Sequence, residues 1–171
     1  MRHVILSWLI LASLFLTCPA FAQTSPATGT ATCNFDEDKQ LALEYQRVTV
    51  NLKKPVSMQV PNGKVWAPGG KPMTLFTNIP VEVGGRTLAV GAYTLFLIPG
   101  GKQWTLVVSK STDMTGTYDE KQDLVRVPME SGELPSPEGE LSVAFEHVAP
   151  GQCNIRADLD KTGHFAPFRK Q

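Results

Sequence analysis

The chain has 171 residues, with 16 basic and 16 acidic side chains, and this length is sufficient for one domain with a buried core. Phosphate binding needs clustered Lys and Arg, whereas the only basic doublets are Lys53-Lys54 and Arg169-Lys170. The composition therefore argues against nucleic acid as a partner.

The N-terminal residues 1–22 have the parts of a cleavable signal peptide. Arg2 provides the positive charge, Val4–Leu16 forms the apolar run, and Pro19 ends that run shortly before Ala22. A membrane span needs about 20 apolar residues, so the run is too short, and we expect no span in the mature chain. We predict that residues 1–22 are removed and that the protein is exported to the periplasm or the extracellular space.

Cleavage also changes the cysteine content, because Cys18 leaves with the signal peptide and Cys33 and Cys153 remain. An oxidising compartment favours a disulfide between them, which would stabilise the fold by about 4 to 5 kcal/mol in the chain-entropy model. The alternative is two unrelated buried thiols. Residues 23–32 are small and polar with no apolar period, so we predict a flexible leader followed by a folded domain over residues 33–171.

From Leu41 onwards, short segments of alternating or continuous apolar residues are separated by Gly and Pro, and no apolar helical pattern competes with them. Gly84-Gly85 supplies the positive φ angles of a tight hairpin turn. The number and spacing of the segments predict one all-β domain, an antiparallel β-sandwich or a jelly roll, with the sandwich preferred over a closed barrel. The predicted strands, in chain order, are 41–50, 73–78, 81–83, 86–90, 92–98, 103–109, 124–129, 141–146, 153–159 and 164–168.

Four segments of the predicted domain together resemble a known protein family. They are Gly63–Trp66, Val90–Pro99, Trp104–Val108 and Tyr118–Asp123. In these segments the chain is similar to a secreted bacterial family of unknown function, DUF2911, from Leu41 to the C-terminus. The resemblance implies a signal peptide followed by a β-rich domain, and it brings no established activity. Members commonly have a polar Arg-Thr-Gly-Ala-Asn-Glu stretch after the Val-Trp pair, which residues 67–72 do not match.

Candidate metal ligands are few and scattered. His147 and His164 are far apart in the sequence, and zinc sites need three or four ligands, so we expect structural or surface roles for both. Asp158–Gly163 copies the first half of a calcium loop, but Arg169 occupies the position where a bidentate Glu belongs, which favours an ordinary turn. We therefore predict no metal and no cofactor.

Catalytic residues are equally hard to identify. No serine lies in the Gly-x-Ser-x-Gly setting of an activated nucleophile. Asp119, Glu120 and Asp123 are the acidic residues that a hydrolase of envelope carbohydrate or peptide would use, although an acidic hairpin loop explains them as well. The sequence therefore favours a non-enzymatic protein and leaves this hydrolase as the alternative.

The predicted ligand-binding residues are Trp66, Tyr118, Asp119, Glu120 and Asp123. Gly and Pro residues follow Trp66, so we expect its ring to lie near a loop, where it is available for stacking on a ligand. The loops between Trp66 and Pro72 and between Ser111 and Asp123 are the expected contact sites. The leading hypothesis is a non-enzymatic module of the cell envelope that binds an unidentified ligand or envelope protein. A purely structural module, the third possibility, would have no concave pocket.

Overall fold

The computed structural model describes residues 28–115 and 117–171. The predicted signal peptide, residues 1–22, and residues 23–27 of the predicted leader lie outside the described residues. No helix in the described ranges is long and apolar enough to cross a membrane. The 3₁₀ helices are Val56–Met58, Pro68–Gly70 and Glu120–Gln122, and the strands are β1 (Thr28–Asp36), β2 (Lys39–Gln46), β3 (Met73–Thr77), β4 (Val81–Val83), β5 (Arg86–Leu88), β6 (Gly91–Ile98), β7 (Thr105–Ser109), β8 (Asp123–Pro128), β9 (Glu130–Ala149) and β10 (Gln152–Lys170).

The strands form two antiparallel sheets that face each other across one core. One sheet has six strands in the order β1-β2-β3-β6-β7-β8, and the other has four in the order β5-β4-β10-β9. Strand alternation sends every second residue inward, so each sheet contributes one buried face. The prediction of a single all-β domain with a sandwich architecture is confirmed. Fully buried side chains come from both sheets, among them Leu43, Leu75, Leu95, Ile155 and Phe168.

The hairpin predicted at Gly84-Gly85 is confirmed. These glycines join β4 to β5, whose paired ends are Val83 and Arg86. Their φ angles are 56° and 75°, a left-handed conformation that is unfavourable for residues with a Cβ atom. A Cβ atom at Gly84 would also lie 2.7 Å from a methyl group of Val127, so glycine is required there on two grounds.

β1 is a strand that the sequence pattern does not predict. Residues 28–32, which their composition assigns to a flexible leader, form its first half and pair with β2. Gly29 lies beneath the ring of its cross-strand partner Tyr45, where a Cβ atom would clash with the ring. Glycine and alanine contribute almost nothing to the alternation of apolar side chains that predicts a strand. Residues 28–32 therefore resemble a flexible leader in the sequence.

β10 runs unbroken through two predicted strands, 153–159 and 164–168. The Asp and Gly residues of the segment between them predict a turn, but the chain continues as a strand with β-bulges at Asp160. Asp160 has a φ of 54°, and the register with β9 shifts on both sides of it. A bulge accommodates a turn-like backbone conformation without reversing the chain direction. The turn prediction was therefore wrong at this point.

β9 begins at Glu130, well before the strand predicted from the sequence. It is an outer strand of the four-stranded sheet, so it pairs along β10 on one side. Pro135 and Pro137 lack an amide donor and are tolerated at such an edge. Nearer its middle, the N–H of Val50 donates a hydrogen bond to the Gly139 carbonyl at 2.8 Å, which covers part of the other side.

Candidate functional site

β6 separates two environments. Leu95 and Leu97 belong to the central core, whereas Thr94 and Phe96 alternate with them and point to the outer face of the six-stranded sheet. These two outward side chains are nevertheless buried, with exposed fractions of 1% and 2%. A further layer therefore covers this part of the outer face.

That layer comes from the loop between β7 and β8, of which the structure describes residues 110–115 and 117–122. The hydroxyl of Thr94 donates a hydrogen bond to the Ser111 carbonyl at 2.9 Å, and the hydroxyl of Ser109 donates to the Gln122 carbonyl at 3.2 Å. These bonds tie both ends of the loop to buried hydroxyls of the sheet. Both ends of the loop are therefore held against the sheet.

Tyr118, Asp123 and Arg126 form a hydrogen-bonded cluster at this loop. The Tyr118 ring packs edge-on against Phe96, with ring centroids 5.2 Å apart. The Tyr118 hydroxyl donates to Asp123 Oδ2 at 2.5 Å, and Arg126 donates to the same oxygen from Nε at 2.9 Å and to the Tyr118 oxygen from Nη2 at 2.6 Å. Burial and the hydrogen bond to Asp123 raise the pKa of Tyr118 to about 12, so the phenol stays protonated and acts as a donor.

The other two acidic residues of the predicted site have weaker or local contacts. Glu120 Oε1 accepts a hydrogen bond from Arg126 at 3.0 Å, but its side chain is 75% exposed, and such ion pairs contribute little stability. Asp119 Oδ1 accepts from the Lys121 N–H at 3.0 Å and caps the last 3₁₀ helix. Arg126 thus brings together the carboxylates of Glu120 and Asp123. Because both carboxylates accept hydrogen bonds from the Arg126 guanidinium, the arrangement gives no support to the hydrolase alternative, in which they would act on a substrate.

Arg126 is the member of the cluster that the sequence did not reveal. It follows Asp123 by three positions, and in a regular strand this spacing places two side chains on opposite faces. The ladder between β7 and β8 is irregular here, with a register shift between Val108 and Ser109, and the two side chains meet on one side. The spacing of Asp123 and Arg126 alone therefore does not predict their contact, because the contact depends on this irregularity of the ladder.

Trp66 lies on the other side of the six-stranded sheet. Its backbone forms a bridge with Leu97, with hydrogen bonds of 2.7 and 3.0 Å. Directly paired residues point to the same face, so Trp66 shares the inward side of Leu97, and its ring meets Trp104 with centroids 6.2 Å apart. Tyr118 instead covers the outward side chain of Phe96. Trp66 and the acidic loop therefore do not line one cleft.

The inward aromatic contacts continue from Trp104 to His164 on β10. The two rings are stacked, with centroids 4.3 Å apart and an angle of 12° between their planes. His164 is 5% exposed, and its Nδ1 lies 3.2 Å from Ser131 Oγ. Burial lowers the pKa of His164 to about 4, so the imidazole is neutral near pH 7. Trp104 precedes β7, so this contact joins the two sheets.

A groove crosses the outer face beside the covered region. Its central part has a volume of about 190 Å³ and is lined by Thr74, Phe76 and Ala92 on the sheet and by Thr112 and Met114 on the loop. A second depression, of about 400 Å³, shares the lining residues Phe76 and Ala92 with it. A third depression, of about 200 Å³, shares the lining residues Thr74 and Met114. These three neighbouring depressions are together called the outer groove.

Both loops expected from the sequence to be contact sites reach the outer groove. Lys71 and Pro72, at the end of the first loop, line the same part of the groove as Met114 from the second. The hydroxyl of Thr74 donates to the Met114 sulfur at 3.3 Å, which holds the second loop against β3. Phe76 and Met114 are exposed in the groove, by 46% and 42%. The outer groove is therefore the place where the predicted contact loops meet.

One family match covers both sheets of the sandwich. The sequence model of a family described as Protein of unknown function (DUF2911) matches residues 25–167. The chain belongs to the DUF2911 family. The resemblance found in four short segments is thereby confirmed, and the matched range of this DUF2911 chain begins ahead of β1. No curated protein and no solved structure matches the chain.

The two cysteines predicted to pair in this DUF2911 chain lie at disulfide-bonding distance. Cys33 on β1 and Cys153 on β10 have Cα atoms 6.4 Å apart, and the pair links one strand of each sheet. Their side chains are buried within the sandwich. His147 is the partner of Cys153 across β9 and β10, and its Nδ1 lies 3.8 Å from the Cys153 sulfur. His147 itself is exposed, whereas the sulfur beside it is not.

Proposed function

We propose that this member of the DUF2911 family is an exported, non-enzymatic module that binds a small, largely apolar ligand in the outer groove. The observation that carries the proposal is the convergence of the two contact loops, through Lys71 and Pro72 from the first and Met114 from the second. Loops held on a rigid scaffold are where binding residues concentrate. A purely structural module has no need for such a concave surface.

The side chains that line the outer groove indicate how polar its ligand is. Phe76 and Met114 leave much of their apolar surface in water, and covering such surface yields about 25 cal/mol per Å². The flexible thioether of Met114 adapts to the shape of what it contacts. The hydroxyls of Thr74 and Thr112 add a few polar groups to a mainly apolar wall. This combination suits a compact apolar ligand that carries one or two hydrogen-bonding atoms.

The Tyr118 cluster supports the groove by positioning the loop. Asp123 and Arg126 hold the Tyr118 hydroxyl, and the Tyr118 ring in turn covers Phe96. The same loop carries Met114 to the groove wall. In this proposal the cluster acts through the loop and does not itself contact the ligand.

A hydrophobic fluorescent dye tests binding in the outer groove. With anilinonaphthalene sulfonate as the probe, we expect enhanced fluorescence with the native chain at neutral pH. Phe76→Ser and Met114→Gln should each weaken dye binding about fivefold, because the loss of roughly 1 kcal/mol of apolar contact changes an affinity by that factor. Both side chains are exposed, so circular dichroism should show an unchanged fold.

Val148→Ser and Met58→Gln are the matched controls. Val148 is 44% exposed and Met58 is 81% exposed, and neither lines the outer groove. We expect both controls to bind the dye as tightly as the parent chain. Equal dye affinity of the groove variants and the controls would contradict the proposed binding site.

Export is tested separately from binding. Expression of the full sequence in a bacterium with a periplasm should give a periplasmic protein whose mass corresponds to a chain starting at Gln23. Leu9→Arg combined with Leu11→Arg interrupts the apolar run and should leave uncleaved protein in the cytoplasm. Recovery of the uncleaved parent chain from the cytoplasm would refute export and would leave the groove proposal standing.

A further inference from the structure

Three metal-ligating side chains converge at the disulfide. The sulfurs of Cys33 and Cys153 and Nδ1 of His147 all lie within 4.8 Å of one another. Within residues 28–115 and 117–171 no other such group of three or more His, Cys, Asp or Glu side chains occurs. The pairing of β9 with β10 fixes His147 relative to Cys153, while Cys33 approaches from the other sheet. Two thiolates and an imidazole are a ligand set that zinc prefers.

We propose that Cys33, Cys153 and His147 bind a Zn²⁺ ion when the disulfide is reduced. In a tetrahedral site, bonds of about 2.3 Å to sulfur and about 2.0 Å to nitrogen place these two kinds of ligand atom about 3.5 Å apart. His147 Nδ1 already lies 3.8 Å from the Cys153 sulfur. The two sulfurs have to separate to about 3.8 Å. Cys33 lies on β1, an outer strand with a paired neighbour on one side, so this shift disturbs little of the ladder.

The charge of the loaded site is balanced. Two thiolates and a neutral imidazole offset the two positive charges of the zinc ion. This balance matters because Cys33 and Cys153 are 3% and 1% exposed, and an uncompensated charge at such depth is strongly disfavoured. His147 and Gln152 line an open groove at the edge of the site, so the fourth coordination position is accessible to water. Three protein ligands and one open position are an established zinc arrangement.

A dithiol supplies the electrons and protons that convert the Cys33–Cys153 disulfide to two thiols. The disulfide takes up two electrons and two protons to give the Cys33 and Cys153 thiols, and the dithiol becomes a disulfide. Binding of Zn²⁺ then releases both thiol protons to solvent. The same two sulfurs therefore link the sheets in both states, through their own bond when oxidised and through zinc when reduced.

Cobalt binding to the full chain tests this site, in a Cys18→Ser background that leaves Cys33 and Cys153 as its thiols. After reduction with a phosphine, we expect one Co²⁺ per chain, with thiolate-to-cobalt charge-transfer absorption and the intense d–d bands of tetrahedral coordination. Added Zn²⁺ should abolish these bands, and the oxidised chain should not show them. A reduced chain without the bands would overturn the proposal.

Removal of the imidazole distinguishes a three-ligand site from two free thiols. His147→Ala should weaken Co²⁺ binding at least about tenfold, since the loss of even an outer-shell partner costs that much. Gln152→Ala, which changes another side chain of the same groove, should bind Co²⁺ like the parent. Equal affinity of His147→Ala and the parent would overturn the proposal. Circular dichroism of the reduced parent should show a folded chain with Zn²⁺ bound, and a chain that stays unfolded with Zn²⁺ would overturn it as well.

Discussion

Replacing Cys33 and Cys153 together by alanine is expected to lower the free energy of unfolding by about 4 to 5 kcal/mol. The bridge links residues that are 120 positions apart, and cross-linking a loop of that length removes much conformational freedom from the unfolded chain. Domains have stabilities of about 5 to 15 kcal/mol, so this loss is a large share of the total. Urea unfolding followed by circular dichroism, with a chelator present to exclude zinc, measures the change.

Cys18→Ser is the control for the disulfide prediction. Cys18 lies in the segment that we predict to be removed on export, so its substitution should leave the stability of the mature chain unchanged. Thiol titration of the denatured, unreduced parent should find Cys33 and Cys153 oxidised. A decrease of less than about 1 kcal/mol in the double variant would contradict the stabilising role of the bridge.

His164 is expected to make the protein less stable in mild acid. Burial against Trp104 lowers its pKa from 6.5 to about 4. Between these two values the unfolded chain binds a proton at this residue and the folded chain does not, so stability falls as the pH decreases from about 6.5 towards 4. One pKa unit corresponds to about 1.4 kcal/mol, so the loss reaches about 3 kcal/mol at the lower limit.

The contribution of His164 is isolated by measuring the free energy of unfolding of the parent, His164→Gln and His147→Gln at about pH 7.5 and about pH 5. His164→Gln does not titrate, so the difference in stability between the two pH values should shrink by about 2 kcal/mol. His147→Gln removes an exposed histidine instead and is the control for the loss of a histidine side chain as such. The carboxylates are the same in all three proteins, so their contribution cancels in the comparison. The same pH dependence in the parent and in His164→Gln would show that His164 is not buried in its neutral form.

The parts of the fold that the sequence predicted are those that local patterns determine. Alternation of apolar residues predicted the strands from Leu41 onwards, and Gly84-Gly85 predicted its hairpin through the φ angles that it allows. Strand β1 was missed because Gly29 is buried beneath the Tyr45 ring, a contact that needs no hydrophobic side chain at position 29. The continuity of β10 was missed because a bulge absorbs the conformation of Asp160.

The candidate site depends on contacts between distant residues, which a single sequence does not report. Tyr118 and Asp123 were predicted among the ligand-binding residues, and in the structure they share a hydrogen bond and both contact Arg126. Trp66 was grouped with them because it precedes a loop, yet its bridge to Leu97 sends the ring inward. Which face of a sheet a residue occupies depends on its register with a neighbouring strand, and a shift of one residue reverses the answer.

The proline and glutamate residues of β9 disfavour association of two copies of this protein along that strand. An uncovered sheet edge is a template on which another chain can add a strand, and such growth leads to aggregates. The early part of β9 contains Pro135 and Pro137, which cannot donate to an added strand, and it also contains the like-charged Glu133 and Glu138. Two copies that approached along this edge would meet missing donors and mutual repulsion. The segment that looks least like a strand in the sequence therefore protects from edge-to-edge association the early part of β9, which lies ahead of the hydrogen bonds from residues 48–50.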